Sequence, residues 1–258
     1  MKKYRAGVIG TGFIGKVHIE TLRRLGNVDV VALTDKYMAK ETAEELHVPN
    51  SFENYKEMID TMSLDTVHIC TPNNTHFEIA MYALEHGVNV ICEKPMTTSV
   101  SEAEQLVKKA KETGLVAAIN FHNRFYPMTN HLMHVIKDGE LGNVFSISGS
   151  YCQDWLLYDT DYSWRLETET SGDTRVIADI GSHWMDLAEF VSGQKIVEVC
   201  ADFSTIHPFR KKPNKVVHAF SNEIFEEKDY TKIPIHTEDN ASVMFRFSGG
   251  AKGSAFFS

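Results

Sequence analysis

The hexapeptide Gly10-Thr11-Gly12-Phe13-Ile14-Gly15 constrains this chain more than any other stretch, because it follows an apolar strand-like run directly and opens an amphipathic helical one. Residues 4–9 read as a strand, 14–25 as a helix with Ile14, Val17, Leu22 and Leu25 on one face, and 28–34 as a β-branched strand. In such a unit the first glycine permits the tight turn, the second lets backbone approach a pyrophosphate, and the third lets helix pack closely on strand. The free N–H groups of the helix then face the phosphates. Asp35 closes the second strand twenty residues after Gly15, where a carboxylate accepts hydrogen bonds from both ribose hydroxyls of an adenosine. Its charge favours NAD; Lys36 beside it offers a partner for a 2′-phosphate, which keeps NADP as the alternative.

The alternation continues with a strand at 65–70, a helix at 75–86, a strand at 88–92, a helix at 101–113 ended by Gly114, and a strand at 115–119. Strands alternating with helices predict an α/β unit built on a doubly wound parallel sheet. After about residue 121 the rhythm changes. A helical segment at 128–137 precedes an alternating stretch, 143–153, whose Val144, Phe145, Ile147 and Tyr151 suit a half-buried strand. A polar, aromatic loop spans 153–178, a helix at 182–191 ends at Gly193, and long strands lie at 195–206 and 240–258, the last folded as a hairpin around Ser248-Gly249-Gly250. This predicts two domains, 1–121 and 122–258, the second an α+β domain with an open, mostly antiparallel sheet. The hairpin runs to the final residue, so the sheet is expected to be incomplete.

The formal charge of −9 argues against a nucleic-acid or membrane-surface partner, since both require a concentrated basic face, and favours a small-molecule ligand. No apolar run approaches the roughly 20 residues of a membrane span. Lys2 and Lys3 give way within a few residues to a strand and a glycine turn, leaving no room for a signal-peptide core, so a cytoplasmic location is expected. Cys70, Cys92, Cys152 and Cys200 are far apart with no CxxC pair, three of them in apolar runs where thiols are usually buried. Among the 12 histidines, His122, His131 and His134 lack a carboxylate or cysteine to complete a ligand set, and no metal is expected.

Three further segments carry a resemblance: Thr71-Pro72-Asn73-Asn74-Thr75-His76, Glu93-Lys94-Pro95 and Asp179-Ile180-Gly181-Ser182-His183. Together with the glycine motif they resemble the Gfo/Idh/MocA family over essentially the whole chain. That resemblance implies a Rossmann domain followed by an open sheet flanked by helices, whose outer face commonly builds homodimers or homotetramers. It implies hydride transfer between NAD(P) and a secondary alcohol of a sugar, sugar derivative or cyclitol, with Lys94 beside the nicotinamide and Asp179 with His183 as the acid/base pair. Thr71, Pro72, Asn73, His76 and Glu93 would join the glycine motif, Asp35 and Lys36 around the cofactor. Family members usually continue past this length, which implies a truncated chain or a sheet edge covered by another subunit.

Elementary chemistry agrees with those roles. Asp179 and His183 are four apart, one helical turn, so a carboxylate can orient an imidazole. Lys94 ends a strand of an open α/β sheet, the edge where ligands bind. The resemblance places substrate contacts at 120–126, nominating His122 and Asn123, although Asn123-Arg124 stands where many relatives carry two arginines. Trp164 and Arg165 offer an aromatic face and a hydroxyl donor suited to a sugar, or anchor a long loop. Two other functions stay open: a non-catalytic dinucleotide-binding regulator and an NAD-dependent glycosidase.

Overall fold

The apolar run YRAGVI forms β1 (Tyr4–Ile9) and delivers the chain straight into the glycine turn and α1 (Phe13–Arg24). The computed structural model describes residues 2–215 and 225–258. It divides into two units, 1–120 and 121–258.

In the first unit there follow β2 (Val28–Thr34), α2 (Ala39–Glu45), β3 (Ser51–Phe52), α3 (Tyr55–Thr61), β4 (Thr66–Ile69), α4 (His76–Glu85), β5 (Asn89–Cys92), α5 (Val100–Thr113) and β6 (Ala117–Ile119). The strands make one parallel sheet in the order β3-β2-β1-β4-β5-β6. Strand order reverses between β1 and β4, so the glycine turn sits at the switch point where ligands enter such sheets. Both faces are covered: Met58, Ile79, Ala83 and Leu106 pack on one side, Ile19, Leu22, Ala39 and Ala43 on the other. Ser99 caps α5 by accepting the Glu102 N–H, and Gly114 ends it at φ +67°. The buried stripe of α1 is Gly15, His18, Ile19 and Leu22; Val17 and Leu25, expected there, are exposed. The stripe is rotated because Gly15 must face the Gly10 carbonyl.

The second unit contains α6 (Pro127–Lys137), β7 (Ser146–Tyr151), α7 (Thr168–Ser171), α8 (Ser182–Ser192), β8 (Ile196–Ser204), β9 (Phe209–Pro213), β10 (Tyr230–Pro234), β11 (Asn240–Phe247) and β12 (Lys252–Phe257). Its main sheet has the order β7-β12-β11-β8. The hairpin of β11 and β12 is antiparallel, as is β11 with β8, but β7 runs parallel to β12, so the sheet is mixed. Strand alternation carries the core: Ala241, Val243, Phe245 and Phe247 are buried, with Trp184 of α8 stacked 5.4 Å from Phe245. Phe145 and Cys200, expected inside, are exposed. The segment read as a loop holds a 3-10 turn at Trp164–Leu166 and α7, and a π-helical turn at Ile177–Gly181 leads into α8. The ribbon of β9 and β10 was not expected. Among the described residues no helix is long and apolar enough to cross a membrane, and no cluster of His, Cys, Asp and Glu could hold a metal ion.

Candidate active site

The three motif glycines differ in what surrounds them. Gly10 has φ +86°, and a Cβ there would lie 2.8 Å from the Cys70 carbonyl oxygen; one on Gly15 would lie 2.0 Å from the Gly10 carbonyl oxygen. A Cβ on Gly12 would meet nothing within 4 Å. Gly10 and Gly15 therefore close the turn, whereas Gly12 keeps open the space that a pyrophosphate needs at the start of α1. The residues present fit a dinucleotide.

Asp35 stands beside this turn. One carboxylate oxygen accepts from the Thr11 amide at 3.1 Å and the Thr11 hydroxyl at 2.6 Å, and the other from the amides of Tyr37 and Met38 at 3.1 and 3.3 Å. Burial pushes its pKa up, but these hydrogen bonds outweigh that effect and hold it below the ordinary carboxylate value. The Lys36 ammonium lies 5.4 Å from the Tyr37 ring centroid. Phe13 is exposed, and Ile14 is half-buried against the α1 core.

Two loops follow the ends of β4 and β5. The Thr75 hydroxyl lies 2.6 Å from the Thr71 hydroxyl and 2.7 Å from the Pro72 carbonyl, and Asn73 is buried. His76, expected to touch cofactor, is 0% exposed, with its ring nitrogens 2.7 Å from the Pro95 carbonyl and 2.9 Å from the Thr71 carbonyl. It ties the two loops together from inside. Glu93 also has internal partners: it accepts from His18 Nε2 at 3.0 Å and Asn120 Nδ2 at 2.6 Å, and its second oxygen lies 3.3 Å from the Lys94 amide. His18 Nδ1 in turn lies 2.9 Å from His68 Nδ1. A buried polar chain thus runs His68, His18, Glu93, Asn120 behind the half-buried Lys94. Burial raises the Glu93 pKa, but the hydrogen bonds from His18 and Asn120, with the charges of His18 and Lys94, pull it lower overall. Burial and His18 push His68 down to about 4, so it is neutral. Sequence reasoning missed His18 and His68. A histidine on the apolar stripe of α1 and another inside the strand run VHIC were the available signals.

In the second unit Asp179 sits in the π-helical turn and His183 in the first turn of α8. Arg165 Nε lies 3.1 Å from Asp179 Oδ1, and its guanidinium lies over the Trp164 ring at 4.7 Å. His183 is 5% exposed, its ring edge-on to Phe121 at 5.8 Å and His122 at 4.9 Å, with Tyr151 at 6.5 Å. Ring contact thus gathers His122 with His183, and Arg165 links Trp164 to Asp179. Asn123 is half-buried, and its neighbour Arg124 is bound by both carboxylate oxygens of Asp186, which pins this segment to α8.

Residues 4–121 match the model of the oxidoreductase family's NAD-binding Rossmann fold, and residues 129–258 match the Gfo/Idh/MocA C-terminal domain. The chain belongs to the Gfo/Idh/MocA family. It is 29% identical to levoglucosan dehydrogenase of Pseudarthrobacter phenanthrenivorans, covering 98% of this chain and 67% of that protein. It is 26% identical to myo-inositol 2-dehydrogenase of Thermotoga maritima, covering 96% and 66%. It thus spans about two thirds of the length of these relatives. Among solved structures, an oxidoreductase domain protein from Kribbella flavida superposes with TM-score 0.90 at 27% identity over 100% of this chain and 68% of that one. Levoglucosan dehydrogenase in complex with NADH and levoglucosan superposes with TM-score 0.87 at 27% identity over 99% and 66%. As a Gfo/Idh/MocA member the chain carries an NAD-binding Rossmann domain, the setting in which the open space at Gly12 makes chemical sense.

Proposed function

We propose that this chain reversibly oxidises a secondary alcohol of a sugar, sugar derivative or cyclitol, with NAD preferred and NADP the alternative. The observation that carries the reading is the pairing of Asp179 with Arg165 in the turn leading to α8, whose His183 is enclosed by His122, Phe121 and Tyr151. The levoglucosan and myo-inositol dehydrogenases to which the chain is similar support the substrate class.

Gly10, Thr11, Gly12 and Phe13 would hold the pyrophosphate by backbone, and Asp35 the adenosine ribose, with Thr71, Pro72 and Asn73 lining the neighbouring loop. Bound NAD supplies a two-electron hydride acceptor at the nicotinamide ring. His183 accepts the hydroxyl proton at a ring nitrogen as the carbon–oxygen bond becomes a carbonyl. Lys94 donates a hydrogen bond to that oxygen and stabilises the negative charge that develops there. Asp179, fixed by Arg165, orients the imidazole and takes a hydrogen bond from a substrate hydroxyl, while His122, Asn123 and Trp164 contact the rest of the substrate.

We also place the chain in the cytoplasm as a homodimer or homotetramer joined through the outer face of the mixed sheet, where Met244 and Phe256 are exposed. A screen of levoglucosan, myo-inositol, aldoses and polyols with NAD and NADP, read at the reduced-nicotinamide absorbance, tests the activity. NADH formation is expected. NAD binding without turnover would point to a regulator, and release of a leaving group without net NADH to a glycosidase.

A further inference from the structure

We infer that Glu238, assembled with Asp239, Arg175 and Arg210, positions the π-helical turn that carries Asp179 and, through it, His183. The inference rests on the acid/base roles proposed for those two residues. The four charged side chains come from three separate stretches of the sequence, and Arg175, Arg210, Glu238 and Asp239 are 7%, 1%, 4% and 6% exposed. Burying charge is costly, and buried ion pairs are often replaceable by apolar residues without loss of stability, so a specific geometry is the better account of such a cluster.

Asp239 Oδ1 bridges Arg175 Nη2 at 2.6 Å and Arg210 Nη2 at 2.9 Å, while its Oδ2 accepts the amides of Ile206 and His207 at 2.7 and 2.8 Å. Arg210 also donates to the carbonyls of Leu156 and Tyr158 at 2.9 and 2.7 Å. One carboxylate therefore locks two loops and two arginines into a rigid block. Glu238 joins that block to the site. Its carboxylate accepts the Arg175 amide at 3.0 and 3.1 Å and the Ile177 amide at 2.9 Å, the leading N–H groups of the helical run that continues into α8. The Arg175 carbonyl then accepts the Asp179 amide at 2.8 Å. A continuous path thus runs from Glu238 through the Arg175 peptide to Asp179. Wide π turns are rare and tend to sit at functional sites, and this one is fixed from outside by a side chain of fixed reach.

Reach and charge are separable. Glu238→Gln keeps the length and an acceptor oxygen but removes the charge; Glu238→Asp keeps the charge, and so the compensation of both arginines, but withdraws the acceptor by one methylene. Amide hydrogen exchange over residues 175–183 needs no substrate and is read first. Turnover with the sugar or cyclitol that yields NADH is read second. Glu238→Asp is expected to speed exchange and lower kcat by about tenfold each, with KM for NAD unchanged, because one helix-start hydrogen bond and the placement it fixes are lost. Glu238→Gln is expected to lower Tm, because Asp239 alone then faces two buried arginines, yet to change exchange and kcat of the folded protein less than Glu238→Asp does, since one oxygen still accepts those amides. Equal exchange in parent and Glu238→Asp overturns the inference, as does a Gln variant impaired as much as the Asp one. Asp179→Asn and His183→Ala run alongside: if they lose turnover while Glu238→Asp does not, the positioning role fails and the acid/base reading stands. If they keep turnover, the acid/base reading fails, and with it the catalytic part of this inference.

Discussion

Arg165 places Nε 3.1 Å from Oδ1 of Asp179 while its guanidinium stacks over Trp164. The Asp179 side chain is 12% exposed and that of Arg165 38%. Arg165 gives this enclosed carboxylate an ion-pair partner of fixed direction, and the indole fixes the cation. Arg165→Ala is expected to lower turnover about tenfold, the effect of about 1.4 kcal/mol at the transition state, without changing KM for NAD. Arg165→Lys should recover only part of it, because an ammonium lacks the planar face that stacks on Trp164. Steady-state kinetics on the two variants checks this, and a fully active alanine variant would make Arg165 a loop anchor only.

The glycine turn separates folding from binding. A methyl on Gly12 enters open space, whereas one on Gly15 strikes the Gly10 carbonyl. Gly12→Ala is therefore expected to leave Tm unchanged or slightly raised and to weaken NAD binding by at least about tenfold, since the methyl takes the room the pyrophosphate needs. Gly15→Ala is expected to lower Tm. Calorimetric titration with NAD and a thermal melt of each variant distinguish the two effects. Tight NAD binding by Gly12→Ala would place the pyrophosphate elsewhere.

The parallel sheet and the hairpin at 240–258 were legible because period-two and helical apolar patterns and glycine stops agreed locally. Elements without that agreement were not. The segment AKETAEE of α2 buries only two alanines and a threonine, β3 is two residues long, and FRKKP and YTKIP of β9 and β10 are charged and proline-ended. At the site, Lys94, Asp179 and His183 were named by the resemblance of short motifs to those of the family. The partners that orient the neighbouring groups lie 14 residues away for Asp179 and 75 for Glu93, and no local pattern announces a contact across such separations. His76 and Glu93, motif members themselves, also hold the loops that bear Thr71 and Lys94, through partners that no local pattern announces.

The buried chain behind Lys94 gives stability a pH dependence. His68, whose ordinary pKa is 6.5, is pushed down to about 4 by burial and by His18. Between those values the unfolded chain binds a proton that the folded chain refuses, so stability falls as pH drops from about 6.5 to about 4 and levels off below. His76 is lowered by burial as well, against the hydrogen bonds with Pro95 and Thr71, and adds to the same slope. His68→Gln is expected to flatten the dependence without abolishing it. Urea unfolding at pH 7, 5.5 and 4.5 measures the difference. A parent protein equally stable at all three would show that these histidines are not held neutral.

Lys94 and His183 are assigned different tasks, and kinetics separates them. Neutral imidazole alone accepts a proton, so alcohol oxidation should rise with pH as His183 deprotonates, and His183→Ala should remove that rise along with most of the turnover. Lys94 is proposed as a donor to the oxygen that becomes negative. Lys94→Ala is expected to leave NAD affinity nearly intact and to lower kcat by roughly 10²–10³, the usual loss for one preorganised donor to a developing oxyanion. The pH dependence of what remains should keep its shape, because the proton acceptor is still present. A Lys94→Ala enzyme with near-normal kcat would remove the lysine from the chemistry, and a His183→Ala enzyme with an unaltered pH–rate profile would assign the proton to another group, His122 at 4.9 Å from the imidazole being the first to examine.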